Sequence, residues 1–321
     1  MCFGDSKDIL DLVDGGFAIN QEYTAARLYE LAKMDGAIIL SEDLKKILYA
    51  NAQLIPSPTI VTNETGTRHR TAERTAKQTG KLVISISQRR NIITIFKGNF
   101  RYVIEDTSKV ITKANQALQT LEKYKKVFDS KLNMLNEYEF NDIVTLDNVI
   151  TCLQRAEMVQ KIADEVKRNI YELGEDGRLI KMQLEELMGG FEEEEIYIIK
   201  DYLVNPKKRN ENDILLQIRN MDATGLTSTS KIADVLGYEN FETYEEVAVY
   251  TRGYRILSKI PRVPSNIVSN MVHDFKSFQH ILMASIEQLD EVEGIGEVRA
   301  RTIKQSLKRM QEQFVFDNVM L

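Results

Sequence analysis

The sequence predicts three fold classes along one chain: an α/β domain with a mixed sheet, then an all-α region, then a C-terminal helix-hairpin-helix. Three observations carry this reading. β-branched runs bounded by turn residues are confined to the first hundred or so positions, at Leu82–Ile86, Ile92–Phe96 and Phe100–Ile104. From Val110 apolar residues recur at helical spacing, at Ala114, Leu118, Leu121 and Phe128, and no strand-like alternation returns. Close to the C-terminus, Gly294-Ile295-Gly296 separates two helical segments, the second rich in Arg and Lys. The resulting division is residues 1–106, 107–250 and 251–321. At 321 residues, 43% hydrophobic and 28% charged, the chain is too long for one ordinary domain and has the composition of a soluble globular protein.

In the first region, Asp14-Gly15-Gly16 is a turn signal, and Glu22–Met34 carries helical spacing at Leu28, Leu31 and Ala32. Ala37–Leu40 and Lys46–Ala50 are short apolar runs that read as strands, so Asp35 and Gly36 stand where helix hands over to strand. Lys97-Gly98-Asn99 is the turn of a hairpin. In the second region, Phe140-Asn141-Asp142 and Gly174–Gly177 break the helices, and Leu179–Met188 resumes them until Gly189-Gly190. Glu192–Glu195 reads as a solvated acidic helix start, because consecutive residues point around a helix instead of converging on a metal. Asn205–Asn212 reads as an exposed loop.

The stretch Thr65–Gly80 carries the chemistry. It places Arg68, His69 and Arg70 with the hydroxyls of Thr67 and Thr71 at a helix start, where Gly66 permits a turn, Thr67 can cap and Gly80 ends the helix. A helix N-terminus favours anions by roughly 0.3–1 kcal/mol, and guanidinium groups add bidentate hydrogen bonds, so a polyphosphate fits such a clamp. The small residues Ala72, Thr75, Ala76 and Thr79 let something pack closely on this helix.

In the third region, Gly294 and Gly296 let a hairpin backbone approach a nucleic-acid phosphate while Ile295 plugs the packing between helices. Arg299, Arg301, Lys304, Lys308 and Arg309 follow. Arg252–Gln313 holds ten Lys and Arg against seven Asp and Glu, a local +3 within a chain of net charge -6. This asymmetry supports a local phosphate-binding surface that reads backbone and shape, with no global pull toward nucleic acid.

Composition also excludes. Cys2 and Cys152 are isolated and three histidines are scattered, which supports neither a disulfide framework nor a Cys/His zinc site, so any metal is a hard ion held by oxygens. No apolar run has the length of a membrane span, and Met1–Asp5 lacks a signal-peptide pattern, so a cytoplasmic protein with no membrane partner is expected. A P-loop ATPase fails for want of Gly-x-x-x-x-Gly-Lys.

Asp35-Gly36-Ala37, Arg68-His69-Arg70 and the Gly294-Ile295-Gly296 hairpin, in that order, resemble the DisA-type diadenylate cyclase family of DNA integrity scanning proteins. The likeness extends through Asp14–Phe17, Leu28–Ala32, Thr71–Arg74, Leu121–Tyr124 and Arg252–Arg255, nearly the whole chain. It implies condensation of two ATP into cyclic di-AMP with release of pyrophosphate, a requirement for Mg²⁺ or Mn²⁺, an octamer of facing cyclase domains, and binding of branched DNA such as Holliday junctions. By the same resemblance, the catalytic residues are Asp35, Arg68, His69 and Arg70, with Asp35 near the attacking 3′-hydroxyl as metal ligand or general base, and Gly36 lets the nucleotide approach the backbone. Leu54 forms part of the adenine and ribose wall, Thr67, Arg68, His69, Arg70 and Thr71 clamp phosphate, and Ser87 with Arg90 makes a second phosphate contact. The DNA contacts fall at Gly294, Ile295, Gly296, Arg299, Arg301 and Lys304. Family members carry a further N-terminal helix and strand, of which Met1–Gly4 retains the tail, so an exposed sheet edge is expected there. The competing reading is a DNA-binding scaffold that senses ATP without turning it over; a carboxylate at Asp35 beside the intact Arg68-His69-Arg70 favours the enzyme.

Overall fold

The computed structural model describes residues 1–87, 92–239 and 243–317, and the chain divides into two compact units, Met1–Ile111 and Thr112–Leu321. In the first, the elements are β1 (Cys2–Phe3), α1 (Lys7–Leu10), β2 (Val13–Asp14), β3 (Phe17–Glu22), α2 (Ala25–Leu31), β4 (Ala37–Leu40), β5 (Lys46–Leu54), α3 (Thr67–Thr79), β6 (Leu82–Ser87), β7 (Ile92–Lys97) and β8 (Phe100–Ile104). One eight-stranded mixed sheet runs β2-β5-β4-β1-β6-β7-β8, with β3 also on β5. The pair β1–β4 is parallel, Cys2 opposite Ile39, and the other described pairs are antiparallel. β7 and β8 close through the two-residue Gly98-Asn99 turn, Lys97 opposite Phe100, with Gly98 at φ +56°.

Two expectations change here. The residues at Met1–Gly4 lie inside the sheet, not at an edge, because Cys2 pairs with both β4 and β6 and is fully buried. The helix expected over Glu22–Met34 is only Ala25–Leu31, started by Thr24, whose hydroxyl accepts from the Arg27 N–H at 3.2 Å. The strand β3 just before it carries no sequence signal: it is largely exposed, so burial imposes no alternation on its residues, and Asn20 at φ +48° sits within its irregular pairing with β5.

The helix α3 lies on the sheet through Ala72 and Ala76, which pack with Ile9, Ile39, Leu54, Val83 and Phe96. The partner that its small residues admit is therefore the sheet. Gly80 ends the helix in the left-handed conformation at φ +68°.

The second unit is helical. It comprises α4 (Thr107–Asn141, whose first turn precedes the boundary), α5 (Leu146–Leu173), a 3₁₀ turn at Gly174–Gly177, α6 (Arg178–Leu187), α7 (Phe191–Tyr202), α8 (Glu211–Arg219), α9 (Ala223–Thr227) and α10 (Thr229–Leu236). Then follow α11 (Tyr254–Ser258), α12 (Ser265–Phe275), α13 (Phe278–Met283), α14 (Ile286–Asp290) and α15 (Glu297–Asp317). Breaks fall at the expected turn residues, with Asp142 at φ +60° and Gly190 at φ +71°. No described helix is long and apolar enough to cross a membrane.

The acidic run differs from its expected solvated form. Glu192 is exposed, but Glu195 is 1% exposed and Glu157 of α5 is 2% exposed, and both surround Arg219 of α8. Their carboxylates lie 3.0 and 3.9 Å from its guanidinium, and Glu192 lies 3.2 Å away. Two residues of the run, Glu192 and Glu195, converge on a cation held by another helix, while Glu194 pairs with Lys259, and sequence spacing cannot express either partner. One guanidinium does not compensate this much buried acid: burial pushes the Glu157 carboxyl up to about 7 and that of Glu195 to about 8, against the pull of Arg219. A carboxyl whose folded pKa is raised stabilises the fold below the usual carboxylate range, and that stability is lost as pH rises through 7 to 8. The thermal midpoint of the helical unit should therefore fall between pH 6 and pH 9, and Glu157→Gln should flatten the fall. A midpoint independent of pH in the parent chain would contradict this account.

Candidate active site

The site is built on two chain reversals against β5. Asn51 in β5 has φ +52°, and around it two glycines touch the strand's backbone. A Cβ on Gly16 would lie 2.8 Å from the Ala50 carbonyl oxygen, and one on Gly36 would lie 2.8 Å from the Asn51 carbonyl carbon and 2.9 Å from the Ala52 oxygen. Gly36 also has φ +97°, a conformation closed to side-chain-bearing residues. Its glycine is thus demanded by the approach of β5, before any ligand is considered, and this is a different cause from the nucleotide contact expected of it. The consequence is that Asp35 is held at a defined point ahead of β4, with its side chain 88% exposed.

The second component is the start of α3. Gly66 is the N-cap, with no side-chain capping bond, and Thr67 is the first helical residue, so the capping role expected of Thr67 is not realised. Arg70 donates its N–H to the Gly66 carbonyl at 2.8 Å. The N–H groups of Thr67, Arg68 and His69 precede the first intrahelical bond and point out of the helix end. Thr67, Arg68 and Arg70 are exposed, and His69 and Thr71 are half-buried.

Across the 33 positions between them, Arg68 Nη2 donates to Asp35 Oδ1 at 2.6 Å. Both partners are more than two-thirds exposed, so the pair adds little to stability. Its effect is to bring the two motifs together, placing a carboxylate beside a cationic helix N-terminus at an accessible surface.

The remaining expected residues fall differently. Leu54, at the end of β5 and 9% exposed, is committed to the core with Ala72 and Phe96. Ser87 ends β6, half-buried, opposite Ile92, and Arg90 lies outside the described residues. Among the described residues no cluster of three or more His, Cys, Asp or Glu could hold a metal unaided. A hard divalent ion held by one carboxylate plus phosphate and water oxygens is compatible with this donor set, since Mg²⁺ commonly keeps that kind of shell.

The structure also adds residues. The segment 55–66 before α3 is strapped to that helix by Glu73, Arg74, Lys77 and Gln78. A signal existed in the sequence: Glu73 sits on the same helical face as Ala72 and Ala76, an acidic residue on a stripe that is otherwise buried.

At the other end of the chain, Ile295 is 6% exposed and packs with Ile267, Val292 and Ala300, as its plugging role requires, while Gly294 holds φ +85° and both hairpin glycines are exposed. The basic residues are less available than expected. Lys304 Nζ donates to the Leu282 and Ala284 carbonyls at 2.6 Å each, closing the end of α13, and this partial burial lowers its pKa. Arg299 donates to the Gly294 carbonyl and Arg301 pairs with Glu297 at 2.5 Å, whereas Lys308 and Arg309 are exposed.

A family model described as the DisA bacterial checkpoint controller nucleotide-binding domain matches residues 1–100, and one described as the DisA bacterial checkpoint controller linker region matches residues 104–244. The chain is similar to three proteins named DNA integrity scanning protein DisA. It is 54% identical to that of Acetivibrio thermocellus over 315 residues, covering 98% of this chain and 87% of the relative. For Carboxydothermus hydrogenoformans the identity is 55% over 311 residues, covering 97% and 88%, and for Clostridioides difficile it is 53% over 312 residues, covering 97% and 87%.

Gly36→Ala should destabilise the first unit by about 1–3 kcal/mol, since it combines a forbidden φ with a backbone clash. Denaturant unfolding of the full chain followed by a probe in the first unit checks this. Unchanged stability would mean that β5 does not dictate the glycine.

Proposed function

The chain belongs to the DisA family and is a diadenylate cyclase, and from that premise we propose that Asp35 and the start of α3 form the ATP site at which two ATP become cyclic di-AMP and two pyrophosphate. The observation that carries this reading is the 2.6 Å contact between Asp35 and Arg68. It puts a carboxylate suited to a divalent ion next to donors suited to a triphosphate.

The N–H groups at the start of α3, with Arg68 and Arg70, bind the phosphates and offset the charge that builds on the α-phosphate as the ribose 3′-hydroxyl attacks. Thr67, His69 and Thr71 add hydrogen bonds along the same edge, and Gly36 and Ser87 border the nucleotide. Asp35 is the protein's ligand for Mg²⁺ or Mn²⁺, which when bound neutralises phosphate charge and lowers the pKa of the attacking hydroxyl. Each 3′-hydroxyl releases its proton to solvent as its oxygen bonds to the α-phosphorus of the other ATP, and the α–β phosphoanhydride bond breaks so that pyrophosphate leaves. One cyclase unit contains one such set of residues and holds one ATP. Two units therefore face each other with two-fold symmetry, and the octamer is the assembly that provides such pairs.

The segment α14–α15 is the helix-hairpin-helix that binds branched DNA. Gly294 and Gly296 present backbone to phosphate, and Arg299 and Arg301 exchange their internal partners for phosphate oxygens. Lys304 acts by holding α13 in place, and the exposed Lys308 and Arg309 extend the cationic face.

Asp35→Asn should abolish product formation, with ATP affinity retained, when purified protein is incubated with ATP and Mg²⁺ or Mn²⁺ and the product is identified by mass. Full turnover by that variant would sink the assignment. For DNA, replacing Arg301, Lys308 and Arg309 by Gln should weaken junction binding and reduce the slope of log K against log salt by about 0.9 for each phosphate that is no longer neutralised. An unaltered slope would move the DNA surface elsewhere in the chain.

A further inference from the structure

The segment 55–66 enters α3 at the Gly66 N-cap, so whatever fixes that segment fixes the helix end and its donors. Glu73, two turns into α3, is 6% exposed although it is acidic and lies on the face packed against the sheet. Both its carboxylate oxygens are engaged: Oε1 takes the Lys77 ammonium at 2.7 Å, and Oε2 accepts from the Thr62 hydroxyl. Thr62 Oγ1 in turn accepts the Glu64 N–H at 3.1 Å, and Glu64 pairs with Arg101 of β8 at 2.6 Å. The two cations beside Glu73 reach the same strand of chain, Lys77 to the Val61 carbonyl and Arg74 Nε to the Ile60 carbonyl, both at 2.9 Å. Burial alone would raise the Glu73 carboxyl; the hydrogen bonds from Lys77 and Thr62 outweigh it and hold the group below the usual range, so it stays charged at neutral pH.

We infer that Glu73 is a positioning residue for the cyclase reaction, acting through Thr62 to set the loop that delivers Thr67, Arg68 and the free N–H groups of α3 to the phosphates. The inference rests on the reading of this helix end as the ATP site. A core needs no carboxylate at this phase of α3, where Ala72 and Ala76 already supply the packing. What the charge adds is a fixed acceptor for a loop hydroxyl and for the lysine that holds the adjacent carbonyl. Reaction rates are sensitive to such placement, because misplacing a group by about 1 Å can cost on the order of 10²-fold.

The test compares Thr62→Val, Thr62→Ser, Glu73→Gln and Arg68→Ala in the full chain, measuring ATP affinity by titration, turnover at saturating ATP, thermal midpoint and assembly by light scattering. Thr62→Val and Glu73→Gln should each lower turnover roughly tenfold, their combination should be no worse than either alone because they break one link, and Thr62→Ser should restore the parent rate. Arg68→Ala reports on the site itself. If it impairs ATP binding while Thr62→Val and Glu73→Gln stay within about twofold of the parent, positioning by Glu73 is overturned and the ATP site stands. If the thermal midpoint drops but the constants do not, Glu73 is only structural and the inference is likewise overturned. An unchanged ATP titration in Arg68→Ala would instead overturn the site reading. Should Glu73→Gln fail to fold, the Thr62→Val and Thr62→Ser pair decides alone.

Discussion

A guanidinium with no exposed surface draws its acceptors from within the fold, and Arg255 is such a group, satisfied at Nη1 and Nη2 while its Nε is buried without a partner. Its side chain pairs with Glu139, also fully buried, and donates to Asn136, both on α4. The Tyr202 hydroxyl also donates to Glu139, at 2.6 Å, and Asp201 receives the Tyr254 and Arg255 N–H groups at 2.7 and 3.1 Å, which caps α11. Arg252, one turn earlier, donates to the carbonyls of Lys200, Asp201 and Leu203 at the end of α7. Four helices, α4, α7, α11 and α13, are thereby tied to one point, the last by Gln279 on the Glu139 carbonyl. Removing one partner from such a pair leaves an uncompensated buried charge, typically a loss of about 3–5 kcal/mol.

This network changes how the helical part is understood. Sequence texture separates residues 107–250 from 251–321, yet Phe140 of α4 packs edge-on against Phe278 of α13 at 5.2 Å and joins the core formed by Ile256, Leu257, Met271 and Ile303. The hairpin that we assign to DNA therefore rests on the same core as α4, within one compact unit. A cut between the two regions would sever the Arg255–Glu139 pair and expose that core.

The first unit uses charge in the opposite way. The pair Asp35–Arg68 is exposed, which suits the triphosphate site we propose there, while the buried Glu73 is saturated with partners. Rigid support lies one layer beneath exchangeable donors. The same division recurs in the C-terminal hairpin, where Lys304 is committed to the fold and Lys308 and Arg309 stay at the surface.

Much of this was legible in the sequence. Local rules placed β4, β6, β7 and β8, the Gly98 hairpin, the breaks at Asp142 and Gly190, the end of α3 at Gly80 and the plug at Ile295, because each depends on neighbours within a few positions. The ordered motifs also singled out Asp35 and Arg68, which the fold brings into contact. Tertiary structure alone decided what those residues touch. That Gly36 is forced by β5, that Leu54 belongs to the core, that Glu195 meets Arg219, that Lys304 closes α13 and that Glu73 fastens Thr62 are all consequences of chain segments meeting at a distance. Periodicity states which face of an element is buried; it does not state which partner lies opposite, and for a charged residue that partner determines whether it binds a ligand or holds the fold.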